Sequence, residues 1–412
     1  MQLVTHRQLF FQHVAQTSDF PLALEIDRAE GVYIYGPALG STADASGNTK
    51  SYMDLISGIG VSNVGHRHPK VLEAIQNQLD KYLHLMVYGE YVQTPQTQLA
   101  HALAETLPPG LDNVYFTNSG TEAVEGAMKL AKRYSGRTEI ISCINAYHGA
   151  TQGALSLSGD ENFKRNYRPL LPDVRHIRYN ILDDVQQITS RTAAVVMEVI
   201  GAESGIRVPD AGYLQAVRQR CTEVGALLIF DEIQTGFGRT GTFWAFEGVA
   251  GGPVVPDVLL CAKGMGGGMP IGAFISSAEI MSVFRNNPVL GHITTFGGHP
   301  VSCAASLATL RVIRDRTAGA ENLHEQAEAK GQLFRQLLKH PAIKDVRGKG
   351  LMLAVEFESF AVLKPIIDRA ITQGVITDWF LFCDNSMRIA PPLIITEEQI
   401  CEACKVILGA ID

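Results

Sequence analysis

Lys263 stands between an apolar run, Val258 to Ala262, and a glycine loop, Gly264 with Gly266 to Gly268, within VVPDVLLCAKGMGGGMPIGAFISS (residues 254–277). The run predicts a short buried strand, the glycines a loop with unusual backbone angles, and Ile271 to Ile275 a second strand. A lysine held among apolar neighbours loses stabilisation of its charge. Its pKa falls, and the neutral amine can attack a carbonyl as a Schiff-base lysine. A glycine hairpin with a solvated lysine would leave the same pattern, so other residues must decide.

Three further stretches carry chemistry at predicted strand ends. In VYFTNSGTEAVEGAMKLAKRY a strand ends at Thr117, residues 118–121 turn, and a helix follows whose free N–H groups and positive dipole end suit a phosphate, with Ser119 and Thr121 adding hydroxyls. A capped helix without ligand fits that stretch too, because Ser or Thr before Glu is also a capping pattern. In NAYHGAT, Tyr147 can lie against a planar ligand while Gly149 permits close approach, although a plain turn with a half-buried tyrosine would look alike. In ALLIFDEIQTGFGRTG, five apolar residues deliver Asp231 and Glu232 to the mouth of a buried strand, where a carboxylate needs a partner. A cationic ring nitrogen would serve; so would a turn N–H or an arginine such as Arg239. Taken together, a phosphate-ready helix start, an aromatic residue, a strand-end Asp and a strand-end Lys form the inventory that pyridoxal phosphate requires.

The elements that must position these groups are legible as alternation. Apolar strands are predicted near 114–117, 139–144, 174–179, 193–199, 226–230, 258–262 and 271–276, with helices between several of them. Such alternation predicts an α/β fold with a mostly parallel central sheet flanked by helices, whose strand carboxyl ends are the place for ligands. Upstream, residues 31–36 predict a strand, 38–50 a polar loop, and Pro69 and the region near Thr94 the starts of two helices. Beyond about residue 303 come a long helical stretch, the turn VRGKG (346–350), the strand LMLAVEF and a terminal helix, which together predict a smaller α+β domain. The division expected is 1–55 as an N-terminal segment joining the small domain, 56–305 as the large domain and 306–412 as the small one.

Composition narrows the class. Hydrophobic residues at 46% and charged residues at 19% describe an ordinary globular chain, and no apolar run approaches the ~20 residues needed to span a bilayer. No membrane association is expected. The formal charge of −7, without basic clusters, gives nucleic acid little to hold. The N-terminus reads as a short amphipathic helix rather than a signal, and seven scattered cysteines suit reduced thiols, so a cytoplasmic location is expected. Neither Cys401 with Cys404 nor His66 with His68 has the further ligands a metal site needs, and no metal is assigned.

The chain also resembles a known family, the class III (ω-amino acid) aminotransferases of fold type I, of the acetylornithine, ornithine and 4-aminobutyrate aminotransferase kind. The resemblance rests on GVSNVGHRHPKVLEAI, TNSGTEAVEGAMKLA, AYHG, MEVIGAESG, DEIQTGFGRTG, CAKGMGGGMPIGA, TTFGGHP, VRGKGLM and MRIAPPLIIT, in order from about residue 30 to 395. It implies that Lys263 carries the cofactor as a Schiff base, that Asp231 binds the pyridinium nitrogen, and that Ile233 and Tyr147 cover the two ring faces. It further implies that Gln234 reaches the phenolic oxygen and that Ser119, Gly120 and Thr121 hold the phosphate. Thr295 matches a threonine that reaches the phosphate of a neighbouring subunit, which implies a homodimer with shared active sites. Arg388 matches the arginine that grips a substrate carboxylate, and Glu203 the glutamate that masks it; a structural salt bridge is the plain alternative for that pair.

The implied reaction is a ping-pong transfer of an amino group from an amino acid, of ω-amino or basic type, to a 2-oxo acid. An aminomutase or amino acid epimerase on the same cofactor site is the alternative within the fold, and a noncatalytic scaffold the alternative outside it. Three departures bear on the substrate: Ala150 stands where many relatives have an arginine, Val199 follows Glu198 where a proline is usual, and the loop 38–50 is longer than usual.

Overall fold

The structure is a computed structural model that describes residues 5–39, 49–87, 89–315 and 322–412. Its centre is a seven-stranded sheet made of β1 (Asn113–Thr117), β2 (Glu139–Cys143), β3 (Val174–Ile177), β4 (Thr192–Glu198), β5 (Leu227–Asp231), β6 (Val258–Cys261) and β7 (Gly272–Ser276). The spatial order is β1-β7-β6-β5-β4-β2-β3. Strands β2 to β6 pair in parallel, and β7 runs antiparallel to both β6 and β1. All seven expected strands are present in this one sheet, within a residue or two of their predicted limits.

Strands β4 to β7 are apolar along almost their whole length because both faces of the sheet are covered. Successive side chains alternate between two cores. Ala194, Val196, Ile229 and Leu260 pack with Val124, Ala127 and Leu130 of the helix Gly120–Ser135, while Val195, Met197, Leu228 and Leu259 join a second cluster on the opposite face. This double burial fixes the register. The register in turn sets Glu198 beside Asp231 at the carboxyl ends of β4 and β5.

A separate core joins the two ends of the chain. Tyr52, Met53 and Leu55 pack with Leu353, Val355, Ile366 and Ile407, and the strand Thr49–Asp54 pairs in parallel with Val375–Ile376. The VRGKG segment departs from expectation. Its residues lie in an edge strand, Asp345–Lys349, paired antiparallel with Met352–Glu356, and the chain reverses only at Gly350. Polar residues and a glycine disguised the strand, since an edge strand buries little apolar surface. Most of the polar loop 38–50 lies outside the described residues, as do 1–4 ahead of the short helix His6–His13. Among the described residues, no helix is long and apolar enough to cross a membrane.

Candidate active site

A cavity of about 240 Å³ opens at the carboxyl ends of the parallel strands. Gly120 and Thr121 stand at one part of its wall, with Tyr147, Asp231, Ile233, Gln234 and Lys263 at others. Four segments far apart in sequence therefore converge because each follows a strand end of one sheet. Ser119 caps the helix Gly120–Ser135, its hydroxyl accepting from the Glu122 N–H at 3.3 Å, while Glu122 accepts from the Asn118 N–H at 2.7 Å. The capping reading of this turn is thus realised, and it leaves the first-turn N–H groups of the cavity-lining Gly120 and Thr121 as a ready anion site. Two glycines keep the wall close. A Cβ on Gly120 would come within 2.8 Å of Ile233 Cδ1, and one on Gly149, whose φ is +133°, within 2.2 Å of Thr121 Oγ1.

Asp231 is buried, and its two oxygens have different partners. Oδ1 accepts from the Ile233 N–H at 3.0 Å, and Oδ2 lies 2.7 Å from Nδ1 of His148. Arg239 is not its partner: that guanidinium donates to the Leu351 carbonyl at 3.0 Å and to Asn63. Burial by itself would lower the His148 pKa, but the hydrogen bond and charge of Asp231, helped by Glu198, raise it. Protonation of His148 is thereby favoured, and its bond to Oδ2 holds the buried carboxylate in place. Glu198 accepts from the Ala202 N–H at 3.1 Å, and burial pushes its carboxyl up to about 7.

Lys263 follows β6 after one intervening residue and opens a single 3₁₀ turn with φ +44°, a left-handed conformation that is costly outside glycine. Burial lowers its pKa, and the Arg388 charge acts in the same sense; Glu203, Asp231 and Glu198 oppose without reversing the shift. A larger neutral fraction of the amine follows at any pH near neutrality.

Beyond Tyr147, Glu203 and Lys263 lies a second cavity of about 440 Å³, which shares those three residues with the first and adds Gly58, Ile59, Asp378, Trp379, Leu381 and Arg388. Arg388 is buried and almost fully engaged. Its Nη1 and Nη2 donate to the Glu203 carboxylate at 2.9 and 3.1 Å, Nε donates to Asp378 Oδ1 at 2.8 Å, and Nη2 also reaches the Trp379 carbonyl at 3.2 Å. Its guanidinium carbon lies 4.5 Å from the centre of the Phe380 ring. Glu203 additionally accepts from the Leu381 N–H at 3.1 Å.

Most residues singled out from the sequence therefore gather at these two cavities. Ser119 stands behind the first, capping the helix whose next two residues form its wall. Thr295 does not join either; it is exposed, outside both linings. Three residues at the site had no role assigned from sequence: His148, which directly follows Tyr147, Glu198 at the end of β4, and Asp378, which no local pattern marks. His66 Nε2 lies 2.9 Å from Asp54 Oδ2, and Cys404 is buried on the terminal helix Glu397–Ile411. Among the described residues no group of three or more His, Cys, Asp or Glu could hold a metal ion.

Residues 14–411 match the family described as aminotransferase class-III. The chain is 37% identical over 391 residues to an acetylornithine aminotransferase of Methanopyrus kandleri, covering 94% of each chain. It superposes with TM-score 0.87 at 30% identity on an ornithine aminotransferase of Toxoplasma gondii whose active site holds pyridoxal phosphate at partial occupancy, covering 99% of this chain and 94% of that one. With an acetylornithine aminotransferase of Elizabethkingia anophelis the TM-score is 0.81 at 32% identity, covering 98% and 97%.

Proposed function

We propose, for a chain that belongs to the class III aminotransferases, that Lys263 and the strand ends around it hold the cofactor while Arg388 and Glu203 sort the substrates. The protein is a pyridoxal-phosphate-dependent transaminase of fold type I, which moves an amino group from an amino acid to a 2-oxo acid. An isomerase is not among the relatives described above, all of which are aminotransferases.

The residues present fit the cofactor. A phosphate suits the N–H groups of Gly120 and Thr121, and the absence of a Cβ on Gly120 keeps Ile233 close above them. The Asp231 carboxylate, oriented by His148, suits a protonated ring nitrogen. Tyr147 and Ile233 would exclude water from the two ring faces, and Gln234 offers a donor for a phenolic oxygen. When bound, pyridoxal phosphate supplies an electrophilic centre and an electron sink. The chain's own part in proton transfer falls to Nζ of Lys263, which in its neutral form can take a proton from the donor carbon and return it. Arg388 would grip the carboxylate of the oxo acid once Glu203 turns aside, and Glu203 would mask that charge when the amino donor is bound.

The donor proposed is an ω-amino or basic amino acid, a reading supported by the acetylornithine and ornithine aminotransferases among the relatives. A homodimer is proposed, with Thr295 serving the neighbouring subunit's phosphate. Its support is that Thr295 lies away from its own cavity, flanked by the exposed apolar residues Ile293 and Phe296. A cytoplasmic location is supported by seven free cysteines. The division into 1–55, 56–305 and 306–412 is proposed from the shared core of the two chain ends.

The observation that carries the reading is the convergence of Lys263, with its lowered pKa, and Asp231, braced by His148, on one cavity at the strand ends. Lys263→Ala tests it. The variant is expected to lose the absorbance of lysine-bound cofactor and at least about 10³-fold in turnover. A variant still passing labelled amino nitrogen to a 2-oxo acid at the wild-type rate would refute the assignment.

A further inference from the structure

Arg388 is shared by two carboxylates that sit in different surroundings. Glu203 takes both terminal nitrogens of the guanidinium and a backbone N–H, and its side chain is 5% exposed. Asp378 takes only Nε, through Oδ1, and its side chain is 28% exposed on the wall of the 440 Å³ cavity. Burial pushes both carboxyls up. At Glu203 the charge and hydrogen bonds of Arg388, with the Leu381 N–H and Lys263, more than reverse that push; at Asp378 Arg388 alone opposes it and does not, while Glu203 and Asp54 add repulsion. One carboxylate is compensated; the other faces the cavity with part of its charge unmet.

The charge balance of the cavity has the same sense. With Glu203 and Asp378 both on Arg388, one cation faces two anions, and burial disfavours the charged form of Lys263, the other cation on this wall. Arg388 is the only arginine among the described residues that line either cavity; Ala150 contributes a methyl group to the first. While Glu203 remains closed, this wall repels a carboxylate and attracts a cation.

We infer that Asp378 is a specificity-determining residue whose exposed carboxylate oxygen receives a second ammonium group of the amino donor, so that the preferred donors are diamines or basic amino acids carrying a charged amine away from the reacting one. The inference rests on the reading of Lys263 and Arg388 given above. It narrows the donor within the proposed class: a chain with one amine at Lys263 and another at Asp378 leaves Glu203 closed on Arg388, and the same pocket admits the oxo acid only after Glu203 opens.

The test uses the cofactor-loaded enzyme in the donor half-reaction, with a short α,ω-diamine and the monoamine of equal chain length as probes. Wild type is expected to favour the diamine in kcat/KM, and Asp378→Asn to lower the diamine-to-monoamine ratio roughly tenfold to hundredfold, the range of a charge-assisted hydrogen bond. Asp378→Glu should restore much of the ratio. Retained absorbance of the lysine-bound cofactor in the Asn variant shows that the site is intact; if the Asn variant does not fold, Asp378→Ser is read in its place by the same ratio. A wild-type enzyme indifferent to the second amine, or an Asn variant that slows both amines equally, would overturn the inference and leave Asp378 a positioning residue for Arg388. Lys263→Ala run in parallel separates the two levels: turnover without Lys263 defeats the site assignment, whereas loss of turnover there beside an unchanged ratio in the Asn variant defeats only the role of Asp378.

Discussion

The two cavities meet at Tyr147, Glu203 and Lys263 but are built on different principles. Walls of the first follow β1, β2, β5 and β6, strands of one buried sheet, so a register fixed by double-sided packing sets the position of each group. The second is assembled from residues 58–59, 203 and 378–388, where the chain ends fold back against the large sheet, and its central charge is held mainly by two side-chain carboxylates, with one backbone carbonyl beside them. The contrast teaches that the cofactor side is rigid by construction, while the substrate side can rearrange by exchanging partners of Arg388.

Substitutions can break that contrast. The largest effect is expected at the rigid side. Asp231→Ala should lower turnover about 10²- to 10³-fold with little change in KM for the oxo acid, because a group held at the reacting system acts on the rate. A KM effect equal to the rate effect would show that the two cavities are not separable. Next comes Arg388→Lys, which keeps the charge but loses the fork. It should raise KM for the 2-oxo acid about tenfold and leave the amino-donor half-reaction nearly untouched, as read by separate half-reaction kinetics.

A further prediction concerns stability rather than turnover, at Glu232. Its carboxylate accepts from the Ala245 and Phe246 N–H groups at 2.7 and 2.8 Å, and burial nevertheless raises its pKa from an ordinary 4.5 to about 7. The folded chain therefore keeps a proton that the unfolded chain releases. This contribution to stability is complete below about pH 4.5 and is lost as pH rises towards about 7, on the order of 3 kcal/mol across the window. Glu232→Gln, which resembles the protonated form, should flatten the fall of Tm over that range relative to wild type. Parallel slopes in the two proteins would count against a protonated Glu232.

The same contrast explains what could be read from sequence. Strands β4 to β6 are continuous apolar runs, and Asp231 and Lys263 lie at or just beyond their ends, so both the sheet and the inventory around the first cavity were visible as local pattern. His148 was hidden because a histidine after an aromatic residue has no distinctive spacing; only the fold brings it 2.7 Å from an aspartate 83 positions away. Asp378 was hidden for a similar reason, since its meaning comes from Arg388 across a strand pair and from Glu203 far upstream. Arg388 and Glu203 were singled out through family resemblance rather than through any periodicity. The edge strand Asp345–Lys349 escaped because its stability comes from pairing with Met352–Glu356 and not from an apolar face of its own.

The central claim is that Lys263 is the residue bonded to the cofactor. Borohydride reduction of the loaded enzyme, followed by proteolysis and mass spectrometry, tests it directly. The account predicts a reduced phosphopyridoxyl adduct on the peptide containing Lys263 and on no other lysine; an adduct on a different lysine, or none with the cofactor bound, would contradict it.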